Sequence, residues 1–338
     1  MFFENVSIAG LAYQDAPLVT TSVELESQLQ DNLTRFGMRP NLIEALTGIR
    51  ERRFWESTDQ AMAATVQMVE GILAKAEIQK SQVGVLINSS VSKEFIEPSV
   101  ASIVHGDLNM PPECMNFDIS NACLGFLNAM QVAGNMIERG QIEYAVIVDA
   151  ENAAPLTEST LKRLQSPDCS LDAFRARFAS LTLGSTTVGM LLSHKDKSPT
   201  QHQFLGGVSR AATQHNRLCV GRMDDMTTDA SGLLATGIEL TTATYKEACE
   251  RMAWHQKDFA HYLLHQVGET HLNKVIKAMG VDPDKVPRFY QTYGNTGPAS
   301  IPLAMAKMDA ENRLSAGDRI GLMGIGSGIN CSMMEVLW

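Results

Sequence analysis

The chain predicts an α/β fold made of two copies of one strand-helix unit, and three observations carry that prediction. Short apolar runs of strand length alternate with stretches of helical period along most of the sequence. The order of elements after residue 259 repeats the order before residue 194. The strand runs are continuously apolar, Val83–Asn88 being the clearest, as expected of strands covered by helices on both faces. Alternation of this kind argues for mostly parallel sheets with right-handed crossovers, in which ligands bind beyond the carboxyl ends of the strands.

Taken in order, residues 3–12 read as the first strand, with helical patterns following over 23–36, 41–46 and 59–76. After the strand at 83–88 come a helix beginning at Pro98 and a strand ending near Ile119. The next helix is expected from about Ala122 to Arg139, capped by Ser120 or Asn121 and stopped at Gly140. Residues 144–149 give a strand, 156–181 a helical excursion and 183–193 another strand. The second half offers a strand at 259–264, a helix at 269–279 closed by Gly280, a strand at 288–292, a helix at 297–308, and strands at 319–323 and 331–337. The halves are expected to span 1–195, with a helical insertion near 155–182, and 196–338. Aligned, they set Asn88 against His265, the turn before Cys123 against Asn295, and 184–193 against 328–336. Strand ends facing each other across a pseudo-twofold axis would then gather Cys123, His265 and Asn295.

The net charge of −10 over 338 residues argues against a nucleic-acid binder or a protein held on anionic membranes. An anionic ligand would need a local cluster of Lys or Arg, and the one dense cluster is Thr47-Gly48-Ile49-Arg50-Glu51-Arg52-Arg53-Phe54-Trp55, which reads equally as a solvated face. The sequence shows no signal-peptide pattern and no run long enough for a membrane span. Six scattered cysteines without a Cys-x-x-Cys pair suggest free thiols in a reducing cytoplasm, and no metal-ligand spacing is present.

Cys123, placed in the first turn of a helix, is expected to be held toward thiolate by the unpaired N–H groups and the dipole there. It reads as well as a small buried hydrophobe. His265 reads as a histidine at a strand end, and Asn295, in Tyr293-Gly294-Asn295-Thr296-Gly297-Pro298, as turn chemistry before a helix. At matching positions of a duplicated fold, the three together make a candidate site. The run Gly321-Leu322-Met323-Gly324-Ile325-Gly326-Ser327-Gly328 precedes a strand rather than a helix, which excludes a dinucleotide loop. It fits a glycine-rich hairpin, or a tight turn whose Ser327 N–H joins that of Cys123 in an oxyanion hole. Glu97, before Pro98, is either a carboxylate favoured by a helix start or a base.

At these residues the chain resembles the ketoacyl synthase III-like branch of the thiolase superfamily, and within it the acyl-CoA condensing enzymes of bacterial long-chain olefin biosynthesis. Asn121-Ala122-Cys123, Ile96-Glu97-Pro98-Ser99, His265-Gln266-Val267 and Gly324 to Cys331 carry the likeness, which covers essentially the whole chain. It implies a thiolase-like fold of two mixed-sheet halves in an αβαβα arrangement. It also implies a non-decarboxylative Claisen condensation of two fatty acyl-CoAs. Cys123 would take the first acyl chain, His265 and Asn295 would hold the reacting groups, and Glu97 would remove an α proton from the second substrate. Glu97 would come from the partner of a homodimer, Arg50 and Arg53 would flank the coenzyme A entrance, and no cofactor would be needed beyond the thioester substrates. Downstream olefin-pathway enzymes are the implied partners. The rival readings are a 3-oxoacyl synthase III using malonyl-ACP, where decarboxylation makes the carbanion without a carboxylate base, and an inactive scaffold or partner subunit. A hydroxymethylglutaryl-CoA synthase shows weaker likeness, and a degradative thiolase would need its second cysteine before the glycine loop, whereas Cys331 follows it.

Overall fold

The computed structural model describes residues 2–338. Nine strands form one sheet in the spatial order His261–Leu264, Arg319–Gly326, Asn330–Leu337, Gln203–Ala211, Val6–Asp15, Thr186–His194, Tyr144–Glu151, Val83–Asn88 and Met115–Asp118. His261–Leu264 pairs parallel with Arg319–Gly326, which pairs antiparallel with Asn330–Leu337, which pairs antiparallel with Gln203–Ala211. The same succession occurs again from Val83–Asn88 through Tyr144–Glu151 and Thr186–His194 to Val6–Asp15. The two runs meet where Ser7 pairs with Gln203 and Phe2 bridges to Gly206, so one continuous sheet serves both.

The expectation of mostly parallel sheets is corrected by these pairings. Parallel pairs occur only toward the two outer ends, where a helix crosses over between strands. Inward, short connections such as residues 327–329 turn the chain straight back, and a tight turn gives an antiparallel pair.

Side-chain alternation along the strands builds three helical layers. Val85, Ile87, Ala145, Ile147, Leu263, Ile320, Leu322, Met334 and Val336 point into a central core that also takes Phe126, Leu127 and Met130 of helix Gly125–Glu138 and Ile301, Ala304 and Met305 of helix Ser300–Ala310. Their strand neighbours Leu86, Tyr144, Val146 and Val148 face helices Thr58–Lys75 and Val100–Asp107. Tyr262, Leu264 and Met333 face helices Ala230–Arg251 and Glu269–Met279. Burial on both faces explains why these strands are continuously apolar.

Several elements differ from the sequence expectation. Residues 288–292 do not form a strand; helix Tyr290–Tyr293 stands there because the Gln266 Oε1 captures the N–H groups of Phe289 and Tyr290 at 2.9 and 3.1 Å. The counterpart of edge strand Met115–Asp118 is therefore missing from the second run. The excursion splits into helices Ala154–Gln165 and Leu171–Arg177, separated at Pro167 and restarted by Ser170, whose hydroxyl accepts from the Ala173 N–H. Strand Gln203–Ala211 and helix Ala230–Arg251 lie between 194 and 258, a stretch for which no element is expected from the sequence. Among the described residues, no helix is long and apolar enough to cross a membrane.

Candidate active site

Cys123 follows edge strand Met115–Asp118, after Ile119 donates its N–H to the Asn88 carbonyl at 2.8 Å. The helix begins only at Gly125, so Cys123 lies in the turn ahead of it and not in its first turn. Two features move the start. Ala122 takes a left-handed φ of 45°, and Gly125 approaches strand Val83–Asn88 so closely that a β-carbon would lie 2.6 Å from the Ser89 carbonyl oxygen. Neither Ser120 nor Asn121 caps the helix. Asn121 instead donates to Asn128 at 2.7 Å and accepts from Asn330 at 3.3 Å, tying the cysteine turn to the strand after the glycine loop.

The expected thiolate is also corrected. Burial pushes the Cys123 thiol up to about 12, with the charges of Cys219 and Glu151 adding to the effect, so at neutral pH it is a thiol. Removal from water outweighs the field of a helix that starts beyond it.

The glycine run lies against this turn. A β-carbon on Gly324 would stand 2.5 Å from Leu124 and 2.7 Å from Leu127, and one on Gly326 would stand 3.2 Å from the Cys123 nitrogen. Ser327 occupies the turn between paired Gly326 and Asn330. The glycines are there for close approach, which agrees with exclusion of a dinucleotide loop.

His265 sits just past strand His261–Leu264, its N–H donating to the Met323 carbonyl at 3.0 Å. The side chain is buried, with 4% exposure, and Nδ1 has no partner within the protein. Burial pushes the imidazole down to about 3, nearby His271 lowers it further, and a hydrogen bond with the Gly297 backbone works the other way. His265 is therefore neutral. That hydrogen bond links it to the turn holding Asn295, whose Oδ1 accepts from the Gly297 N–H at 3.0 Å. Asn295 also donates its N–H to Thr182 at 2.8 Å and accepts from Gly184 at 3.0 Å. A β-carbon on Gly184 would lie 2.0 Å from the Tyr293 carbonyl oxygen, so only glycine allows that approach.

The chain has relatives over its full length. The family model for the C-terminal part of 3-oxoacyl-[acyl-carrier-protein] synthase III matches residues 249–338, and the model for 3-oxoacyl-[acyl-carrier-protein] synthase III matches residues 117–165. Acyl-CoA:acyl-CoA alkyltransferase of Xanthomonas campestris is 43% identical over the full length of both chains, and that of Shewanella oneidensis 32% over the full length of both. The chain belongs to the OleA family of acyl-CoA:acyl-CoA alkyltransferases. Cerulenin-bound OleA of X. campestris superposes with a TM-score of 0.97, covering 100% of this chain and 98% of the other at 43% identity. A cysteine variant of the same OleA with bound lauric acid and lauroyl-CoA superposes at 0.96, covering 99% and 100%. The fold is thus thiolase-like. Beta-ketoacyl-[acyl-carrier-protein] synthase III of Clostridium novyi is more distant, 26% identical over 88% of this chain and 90% of its own.

Glu97 differs from Cys123, His265 and Asn295 in its exposure. It is exposed on the segment between strand Val83–Asn88 and helix Val100–Asp107. Arg50 is exposed. Arg53 is half-buried: its Nη1 donates to the Ala16 carbonyl at 3.3 Å, its Nε lies 3.9 Å from Asp15, and its guanidinium stacks 5.6 Å from the Tyr293 ring centre. Arg52, between them, is fully buried and bonds to Ser22 and Leu181 at 3.1 Å.

Sequence reasoning missed a buried carboxyl pair at the end of strand Tyr144–Glu151. Burial raises Asp149, as does the charge of Glu151; Glu151 is itself raised by burial, against hydrogen bonds from Ser92 and Val91. Glu151 Cδ lies 3.6 Å from where a Gly297 β-carbon would stand, placing the carboxyl beside the Asn295 turn. The signal was two acids, two residues apart, closing an otherwise apolar strand.

Proposed function

We propose that this OleA-family protein condenses two long-chain fatty acyl-CoAs, without decarboxylation, to a 2-alkyl-3-oxo acid. The observation that carries the reading is the full-length likeness to the Xanthomonas alkyltransferase, together with a glutamate at position 97 that a malonyl-using synthase would not require.

Cys123 attacks the first thioester, its proton leaves with the departing coenzyme A thiol, and the acyl chain remains on sulfur. The N–H groups of Cys123 and Ser327 serve as the oxyanion hole for the tetrahedral intermediate. His265 and Asn295 hold the second thioester by hydrogen bonds, the Asn295 amide donating to its carbonyl oxygen, where negative charge develops as its α proton is lost. Glu97 takes that proton, and the carbanion attacks the acyl-Cys123 carbonyl and releases the thiol. Water hydrolyses the remaining thioester. Glu97 is exposed, and the likeness to the OleA family implies that it serves the partner subunit of a homodimer. Arg50 and Arg53 are proposed at the coenzyme A entrance. The halves are proposed to divide at 195/196, and the protein to act in the cytoplasm on thioester substrates alone, handing its product to enzymes of olefin formation.

The decisive experiment supplies one long-chain acyl-CoA and no malonyl donor. Coenzyme A release with the β-keto acid, or the symmetrical ketone left by its decarboxylation, supports the reading. Product that forms only on addition of malonyl-ACP makes the protein a 3-oxoacyl synthase.

A further inference from the structure

The segment carrying Glu97 is held at both ends by carboxylates from neighbouring strand ends. At its entry, Glu151 accepts from the Val91 N–H at 2.6 Å, the Ser92 N–H at 3.1 Å and the Ser92 hydroxyl, and that same hydroxyl accepts from the Asn152 N–H at 2.9 Å. At its exit, Asp118 accepts from the N–H groups of Val100 and Ala101 at 3.2 and 2.9 Å, and it also accepts from Lys93 Nζ near the entry at 2.9 Å. Glu151 is 4% exposed and ends strand Tyr144–Glu151; Asp118 ends strand Met115–Asp118. Between the two holds the chain stands out from the body, with Ile96 82% exposed and Glu97 beside it.

A buried carboxylate that spends its acceptors on backbone N–H groups fixes those groups in direction, and its hydrogen bonds are of the stronger, charge-assisted kind. An exposed tip held only by its own chain would sample many positions, and a general base must stand within hydrogen-bond reach of the proton it takes. We propose that Glu151 and Asp118 are positioning residues, a two-point clamp that sets the tip so that Glu97 reaches the reacting carbon in the partner subunit. This rests on the reading above that Glu97 acts across a homodimer. Neither carboxylate touches substrate in this role.

The test uses the full-length enzyme and separates acylation from condensation. In Glu151→Gln, which also removes a charge that raises the Cys123 thiol, acylation of Cys123, followed by intact mass, should be no slower than in wild type, while condensation falls about 100-fold, the scale of a reacting group displaced by about 1 Å. Asp118→Asn, which keeps the side-chain volume, should show the same split. Heterodimers carrying two affinity tags then ask which subunit is impaired. Glu151→Gln paired with Cys123→Ala should recover about half of wild-type condensation, because the intact tip of one subunit serves the intact cysteine of the other. Glu97→Gln paired with Cys123→Ala is the control. If the control recovers activity and the Glu151→Gln pair does not, Glu151 acts at its own cysteine and the clamp is overturned. If the control also fails, the cross-subunit reading falls, and the clamp with it. Unchanged condensation in both Glu151→Gln and Asp118→Asn, or equal loss of acylation and condensation, overturns the clamp alone.

Discussion

Gly326 lies against Cys123 so closely that a β-carbon would stand 3.2 Å from the cysteine nitrogen, with Leu124 N at 3.4 Å and Asn121 O at 3.5 Å. All three atoms are backbone, and none can swing aside as a side chain would. Gly326→Ala should therefore shift the turn that presents the thiol, slowing acylation by about tenfold or more, on the scale set by misplacing a reacting group. Gly324→Ala meets side chains instead, Leu124 and Leu127, each 1% exposed. Its effect should appear as lost stability of about 1–3 kcal/mol from overpacking. Single-turnover acylation and urea unfolding of the two variants check the contrast.

A half-buried thiol raised to about 12 makes a further prediction, because only the thiolate is nucleophilic. Labelling of Cys123 by iodoacetamide should climb about tenfold per pH unit from pH 7 to 10, without a plateau. Peptide mass spectrometry separates it from Cys114 and Cys331, both pushed up to about 11 by burial. A plateau near neutral pH would restore the thiolate that the position near a helix start suggests.

That contrast shows where the sequence is informative. The strands were legible where burial on both faces left a continuously apolar run, as at Val83–Asn88 and Tyr144–Glu151. The helix at Glu269–Met279 was legible to the residue, since Gly280 ends it with a left-handed φ of 70°. Residues 288–292 misled, because local apolar character cannot reveal that the Gln266 amide, more than twenty residues away, captures their N–H groups. The helix start near Cys123 was missed for a similar reason: the contact of Gly125 with Ser89 is long-range. The residues of the site were visible as types at strand ends, whereas the Cys123 protonation state depends on burial and on Glu151, which no local pattern reports.

His271 gives a pH prediction with a definite sign. Burial lowers it to about 4 and lowers His265 to about 3, against an ordinary value of 6.5. As pH falls below 6.5 the unfolded chain protonates both histidines and the folded chain does not. Stability is then lost with falling pH, down to about 4 for His271, by at most about 1.4 kcal/mol per pH unit for each. Asp149, raised by burial, works in the opposite direction, so the comparison must be made against a variant. His271→Gln should flatten the decline in unfolding free energy between pH 6.5 and 4 relative to wild type; parallel curves would refute the assignment.

The basic stretch offers a test that separates ligand binding from structure. Arg50 is exposed and free to meet a phosphate, while Arg53 divides its guanidinium among Ala16, Asp15 and the Tyr293 ring. Arg50→Ala should raise KM for acyl-CoA several-fold and weaken its dependence on salt, because a phosphate contact in solvent is screened by ions. It should leave the unfolding midpoint in place. Arg53→Ala removes a carbonyl hydrogen bond and a ring contact from a half-buried position, and should cost about 1–2 kcal/mol of stability. Should Arg53 also touch the nucleotide, its variant will raise KM in addition, and Arg53→Lys will not restore it, since an ammonium lacks the planar fork that reaches Ala16 and stacks on Tyr293. A fall in stability from Arg50→Ala with KM unchanged would move the coenzyme A entrance elsewhere on the surface.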